Sequence, residues 1–229
     1  VLFVLIRYGE GHWAYAVTGK LMYSAIIVNL IYAWGIFLSG IRTHPGGAFS
    51  GRRRRQMQEG SLSLILAGLS VTAAADLFLV LLDRSWVTGV FLFCIVQTIY
   101  AFCLQKTWKN ALVRLIVFVC VLAGFYAAGI LDLNYGLSAY SISMLCVNAV
   151  SACICVRRQP DRGKCAMLLF AAGLLLFVGC DLSLGLRNLT WSAEAFAGLH
   201  KVSGSLVWIF YLPSQVLITL AWRMRKHRG

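Results

Sequence analysis

The sequence predicts an all-α polytopic membrane helix bundle, and three observations carry that expectation. Apolar residues make up 60% of the 229 residues, with a mean hydropathy of +0.78; a soluble domain sits nearer roughly 45–50%. The apolar residues gather into runs close to the ~20 residues that ~30 Å of hydrocarbon demands. The 21 Lys and Arg, against only 8 Asp and Glu for a formal net charge of +13, punctuate those runs rather than interrupt them. Backbone polar groups in lipid must be satisfied within the segment, so runs of this length are helices. The alternation a membrane barrel needs is absent. With only 3 prolines, disorder and a proline-rich stalk are both excluded. A single integral membrane domain over residues 1–229 is expected.

The chain opens on a short apolar arm, Val1–Ile6, which stops at Arg7. No small-residue cleavage site follows it, so it reads as an ordered arm or as the tail of an eighth helix cut off upstream. Seven clear spans follow: Leu21–Ile41, Gly60–Leu82, Trp86–Leu104, Ala111–Leu131, Tyr135–Val156, Lys164–Leu186 and His200–Trp222. Basic residues flank alternate ends of them. The first loop carries Arg42 and Arg52–Arg55, the third Lys106, Lys109 and Arg114 at its edge, and the fifth Arg157, Arg158, Arg162 and Lys164. The tail adds Arg223, Arg225, Lys226 and Arg228, whereas the opposite loops hold only Arg84, Arg187 and Lys201. Positive charge marks the cytoplasmic side, so the odd-numbered loops and the C-terminus are expected there. Arg52–Arg55 reads as a topology anchor against anionic lipid headgroups, with no nucleic acid partner. The expected location is a multi-pass position in the cell membrane of a bacterium or an endomembrane of a eukaryote.

The eight cysteines have no zinc-site spacing and read as small buried hydrophobes. Asn188-Leu189-Thr190 is a glycosylation triplet on the outer side, meaningful only in a eukaryotic secretory setting.

Ionisable groups within spans are costly and point to function. Two stand out, Asp76 in Ala75-Asp76-Leu77-Phe78-Leu79 and Asp181 in Cys180-Asp181-Leu182-Ser183-Leu184. Both lie on helices that run outward on this topology. At 1.5 Å per residue before Leu82 and Leu186, both carboxyls sit about 8–9 Å inside the outer boundary. Two carboxylates at one depth can face one cavity, and no Lys or Arg within a span is placed to neutralise them. Asp-Leu-x-Leu-x-Leu occurs at both sites, and each is followed one helix later by a Gln beside a Tyr: Gln97 with Tyr100, and Gln215 with Tyr211. This pattern is a faint parallel repeat. Asn29 and Asn148 read as hydrogen bonds between helices.

Several chemistries are eliminated by the residues present. His12, His44, His200 and His227 all lie at loops or ends, so a histidine-built zinc site in the bundle is not expected. Lys201 sits at the outer rim of the last span, too shallow for a retinal Schiff base. There is neither a Gly-x-Ser-x-Gly turn nor a phosphate loop.

From Lys20 to Ala221 the chain resembles the YhhN-like lysoplasmalogenases, a family of multi-pass membrane proteins. Four elements in order carry the resemblance: Ala75-Asp76 with the apolar residues after it; Gly89, Phe91 and Phe93 with Gln97-Thr-Ile-Tyr100; Phe177 through Cys180-Asp181; and Tyr211-Leu-Pro-Ser-Gln215 with Leu217-Ile218. The chain departs from the family pattern at Gln97, where a His is usual, at Ala75 for Gly and at Cys180 for Ser. Family members usually have eight helices. The resemblance implies cleavage of the vinyl ether of a lysoplasmalogen, a lysophospholipid substrate, to a fatty aldehyde and a glycerophospho-alcohol. Asp76 and Asp181 would be catalytic, and Gln97, Tyr100, Tyr211 and Gln215 would bind substrate or water. No metal and no organic cofactor is implied. Paired acids at one depth equally suit a proton-coupled transporter or a small-ligand-binding membrane protein.

Overall fold

The computed structural model describes residues 13–42, 52–82, 86–104, 108–129, 133–190 and 197–227. The arm Val1–Ile6 and the loop residues Arg84, Lys106 and Arg228 lie outside them. The described residues form seven helices and no strand: α1 (Trp13–Arg42), α2 (Arg52–Asp76), α3 (Trp86–Leu104), α4 (Trp108–Ala127), α5 (Leu133–Arg158), α6 (Asp161–Thr190) and α7 (Ala197–His227). A π-helical turn, Leu77–Leu81, continues α2.

Each expected span lies within one helix or, for Gly60–Leu82, within α2 and its π turn, but for the last residues of Ala111–Leu131. Most helices run past the apolar limits, because the i to i−4 ladder does not stop where the hydrocarbon does. Four helices are long and apolar enough to cross a membrane, over Trp86–Leu104, Gly136–Arg158, Gly163–Arg187 and Ala197–Ala221. The expectation of seven clear spans is met for these four. In α1, α2 and α4 the apolar stretches are shorter, Lys20–Ile36, Ser63–Leu79 and Leu112–Val121. The arginine-rich start of α2 and Lys109 of α4 lie outside these stretches, whereas Arg114 lies within the last of them.

α6 and α7 form the closest pair, and α2 packs on α3, α3 on α5 and α5 on α6. α1 closes against α7 and α2, while α4 packs chiefly on α5. Small residues set the closest approaches. A Cβ at Gly173 of α6 would lie 2.8 Å from Ile218 Cγ1 and 3.0 Å from the Ser214 carbonyl oxygen of α7. The core runs through Leu66, Leu69, Val96, Leu145, Leu174, Phe177 and Ile218, all nearly solvent-free. Leu, Ile and Val on the far faces of α1, α4 and α6 are exposed, among them Val28, Ile31, Ile116, Val119, Leu168 and Leu175. An apolar exterior around an apolar core is what a lipid solvent permits and water does not.

Asn29 and Asn148 bridge helices as expected. Asn29 Nδ2 donates to the Gln215 carbonyl at 3.2 Å and to Thr219 Oγ1 at 2.9 Å, joining α1 to α7. Asn148 joins α5 to α3 through Gln97.

Candidate active site

The site is built on one face of α2. Gly68, Thr72 and Asp76 recur every fourth residue, so they stack along one line of the helix, and all three are buried. Gly68 meets the ring of Tyr100 from α3 so closely that any Cβ would fall on it. Thr72 turns its hydroxyl back to the Gly68 carbonyl at 2.9 Å, and the Tyr100 hydroxyl lies beside it without forming a well-shaped hydrogen bond. Asp76 is 3% exposed, and its Oδ2 accepts the phenolic proton of Tyr211 from α7.

The backbone is irregular at both partners of that contact. Immediately after Asp76 the helix widens over Leu77–Leu81, and the Leu82 N–H reaches the Leu77 carbonyl at 2.9 Å. Single π turns recur at functional sites. This one is seated by Leu79, which lies where a side chain on Gly89 of α3 would have to go. On α7, Pro213 lies inside the helix two residues past Tyr211. A proline there supplies no N–H to the preceding turn and weakens the ladder. Ser214 Oγ bonds the Tyr211 carbonyl at 2.7 Å. Leu77–Leu79 of the π turn are half-buried, and Pro213 is exposed.

An aromatic layer supports the pair. The ring of Tyr211 meets Phe177 at 5.6 Å and Trp208 at 6.1 Å, both edge-on, and Phe177 meets Phe93 at 5.7 Å. Edge-to-face pairs at these spacings are each worth about 0.5–1.5 kcal/mol beyond the area they bury. They draw α3, α6 and α7 together around Asp76.

Asp181 stands one turn beyond Phe177 on α6. It is partly buried, and its charge and that of Asp76 act on each other. Cys180 lies within electrostatic reach of both acids and Cys146 of α5 within reach of Asp181. Among the described residues, no Lys or Arg stands beside either carboxyl, and no hydrogen bond closes on that of Asp181. The two acids therefore differ. Asp76 has a phenol donor; Asp181 has none.

The other expected site residues divide. Tyr211 touches Asp76, and Tyr100 lies within its electrostatic reach, packed edge-on against Phe170 at 5.7 Å. Gln97, 1% exposed, is on the same face of α3 as Phe93 and Tyr100. Its Oε1 accepts from Asn148 at 3.0 Å. Gln215 is buried but serves the α1–α7 seam: its carbonyl takes Asn29, and its amide only approaches Ser214 Oγ at 3.5 Å. The sequence reading did not foresee Thr72, the Phe177 layer, the π turn or Arg114 as part of the interior. Pro213 near Tyr211 was the one local signal of an irregular helix there. A small cavity of about 40 Å³ lies toward the opposite end of the bundle, lined by Ile65, Cys103, Gln159, Met167 and Phe170 among others. Among the described residues, no three His, Cys, Asp or Glu side chains come together as a metal-ligand set.

Two neighbouring carboxyls in an apolar interior, one bonded by a phenol and one not, can hold a proton on one and a charge on the other. Such a pair is equipped for acid–base chemistry. No curated protein and no solved structure matches this chain closely enough to compare. The family model described as the YhhN family matches residues 47–222, which include α2 through most of α7 and every residue of this site, and the chain belongs to that family.

Proposed function

We propose that this protein is a membrane hydrolase that cleaves the vinyl ether of lysoplasmalogens, with Asp76 and Asp181 as its acid–base pair. One observation carries the reading: Asp76, buried in the bundle, takes a hydrogen bond from Tyr211 and shares its surroundings with Asp181, and among the described residues no Lys or Arg stands beside either carboxyl. A vinyl ether is hydrolysed by protonation of its β-carbon, which leaves an oxocarbenium ion. A proton on one carboxyl and a negative charge on the other serve the two halves of that step.

Roles follow from the hydrogen bonding. The phenol of Tyr211 donates a bond that an ionised carboxylate accepts best, so Asp76 carries the charge. Asp181 carries the proton and delivers it to the β-carbon. Asp76 then stabilises the cation and takes a proton from the water that adds to it. The hemiacetal collapses to the aldehyde and the glycerophospho-alcohol, and the proton returns to Asp181. Tyr100 and Gln97 line the approach, and Gln215 holds α1 on α7.

The same proposal places the chain as a multi-pass protein with all seven helices across the bilayer and the C-terminus in the cytoplasm. Cysteines introduced at Gly47, Arg158 and Gly229 should then all label from that one side.

The deciding experiment is aldehyde release by purified protein from a panel of lysolipids. A 1-alkenyl lipid should yield aldehyde, whereas ester and alkyl-ether analogues should not, because they lack the carbon that accepts the proton. Absence of aldehyde from every alkenyl substrate would refute the assignment and leave proton coupling or ligand binding as the use of the acid pair.

A further inference from the structure

A second polar cluster lies apart from the acids, at the junction of α3, α4 and α5. Arg114 of α4 turns inward and donates through Nη2 to Asn148 Oδ1 at 2.9 Å. Asn148, fully buried, donates through Nδ2 to the Gln97 carbonyl at 2.8 Å and to Gln97 Oε1 at 3.0 Å. Arg114 Nη1 and Gln97 Nε2 are buried and have no hydrogen-bond partner among the described residues.

The order of this chain is dictated by chemistry. A guanidinium has donors only, so Asn148 must turn its oxygen toward Arg114. Its amide nitrogen then faces Gln97, and Gln97 must turn its own oxygen to meet it. The free end of Gln97 is therefore an N–H. The Gln97 main-chain carbonyl, which accepts from Asn148 Nδ2 at 2.8 Å, holds Asn148 in the same sense, so that carbonyl and Arg114 orient the pair together. Gln97 lies on the α3 face between Phe93 and Tyr100, and those two flank the acid site: Phe93 against Phe177, and Tyr100 beside Thr72. A buried donor left unmatched at such a place is costly.

We infer that Gln97 binds an acceptor oxygen of the substrate through Nε2, and that Arg114 and Asn148 are positioning residues that lock its amide in the donor orientation. The inference rests on the hydrolase reading for the identity of the ligand, a lysophospholipid whose ether, glycerol and phosphodiester oxygens all accept. Neither Arg114 nor Asn148 touches that ligand. The lock also selects against a ligand that offers only an N–H or O–H at this point.

Asn148→Asp tests the lock at nearly constant volume. A carboxylate still accepts from Arg114, but it no longer donates to the Gln97 main-chain carbonyl or to Oε1 and is met by an N–H instead, so Gln97 reverses and presents its oxygen. The readout is affinity for a non-hydrolysable 1-alkyl lysolipid in detergent, followed by intrinsic tryptophan fluorescence, with thermal unfolding as a check on the fold. Asn148→Asp should weaken binding about tenfold, the worth of one buried hydrogen bond at about 1.4 kcal/mol per decade. Arg114→Gln removes one of the two groups that orient Asn148 and leaves the Gln97 main-chain carbonyl in place, so it should cost less, roughly two- to fivefold. Gln97→Ala should weaken binding about tenfold, and Asn148→Asp added to it should cost nothing more.

Full affinity in folded Asn148→Asp, additive losses in the double variant, or no binding of the analogue by the unaltered protein would each overturn the inference. Aldehyde release separates it from the hydrolase reading. If Asp76→Asn is inactive while Gln97→Ala and Asn148→Asp turn over normally at low substrate, the lock fails and the hydrolase stands. If the binding pattern holds but no alkenyl lipid is cleaved, the lock stands and the hydrolase fails.

Discussion

Asp-Leu-x-Leu-x-Leu is written twice in this chain, and the two copies fold differently. After Asp76 the helix widens into a π turn over Leu77–Leu81, and the carboxyl is bonded by Tyr211. After Asp181 the helix runs on as regular α6 to Thr190, and no hydrogen bond closes on the carboxyl among the described residues. Four matching positions therefore do not determine local geometry. The difference comes from the facing helix. Leu79 has a seat at Gly89 of α3, whereas Gly185 inside the second copy faces open space. Tyr211, beside the proline of α7, reaches only the first acid. Likeness of motif has become unlikeness of setting, which is what the proposed acid–base pair needs.

The largest expected effect removes either carboxyl. Asp76→Asn and Asp181→Asn should each lower aldehyde release from a 1-alkenyl lysolipid by about 10²–10⁴-fold, the usual worth of a general acid or base. Asn keeps the size and discards the ionisation. Full turnover in either variant would break the comparison, because it would leave the two copies as packing alone. Solvent isotope effects would sharpen it. Proton delivery to carbon by Asp181 should give a large one in the unaltered protein, and its disappearance in residual Asp181→Asn activity would mark that group as the donor.

Next comes the donor that tells the acids apart. Tyr211→Phe keeps the ring against Phe177 and Trp208 and removes only the hydroxyl. A hydrogen bond to a charged group is worth about 1.5–3 kcal/mol, so turnover should fall roughly 10- to 100-fold with little loss of thermal stability. An unchanged rate would mean that the phenol does not set the role of Asp76.

The backbone difference can be tested by adding one methyl group to each copy. Gly89→Ala places a Cβ on Leu79 and should destabilise by about 1–3 kcal/mol, the cost of overpacking, lowering the unfolding midpoint in detergent. Gly185→Ala is the smallest effect and has the opposite sign. Nothing lies within 4 Å of a Cβ there, and Ala exceeds Gly in a helix by about 0.8–1 kcal/mol, so the midpoint should hold or rise. Equal destabilisation by both would remove the packing explanation of the π turn.

Much of this was legible in the chain beforehand. Long apolar runs between basic flanks require helices, because lipid offers the backbone no other partner. The expected span Trp86–Leu104 coincides with α3 to the residue. Asp76 and Asp181 stood out because a carboxyl in an apolar run has a cost that only a partner or a role offsets. Asn29 and Asn148 were legible as links between helices for the same reason. Three of the seven apolar stretches, in α1, α2 and α4, are shorter than expected, although the helices continue beyond them.

The residues of a candidate site could be named from sequence but not grouped. Gln215 and Tyr211 share one helix and looked like one element, yet they serve different neighbours, one turning toward α1 and the other toward Asp76. Arg114 read as the edge of a cytoplasmic loop, whereas it points inward to Asn148. Composition and periodicity determine that a segment is a helix and that a polar group must be satisfied, because both follow from the solvent and the backbone. Which group satisfies it depends on the rotation and depth of a helix from elsewhere in the chain. Those are set by side-chain volumes at contacts such as Gly68 with Tyr100 and Gly173 with Ile218. Only the packed bundle fixes them, since each contact involves residues that are distant in sequence and touch only when the helices are assembled.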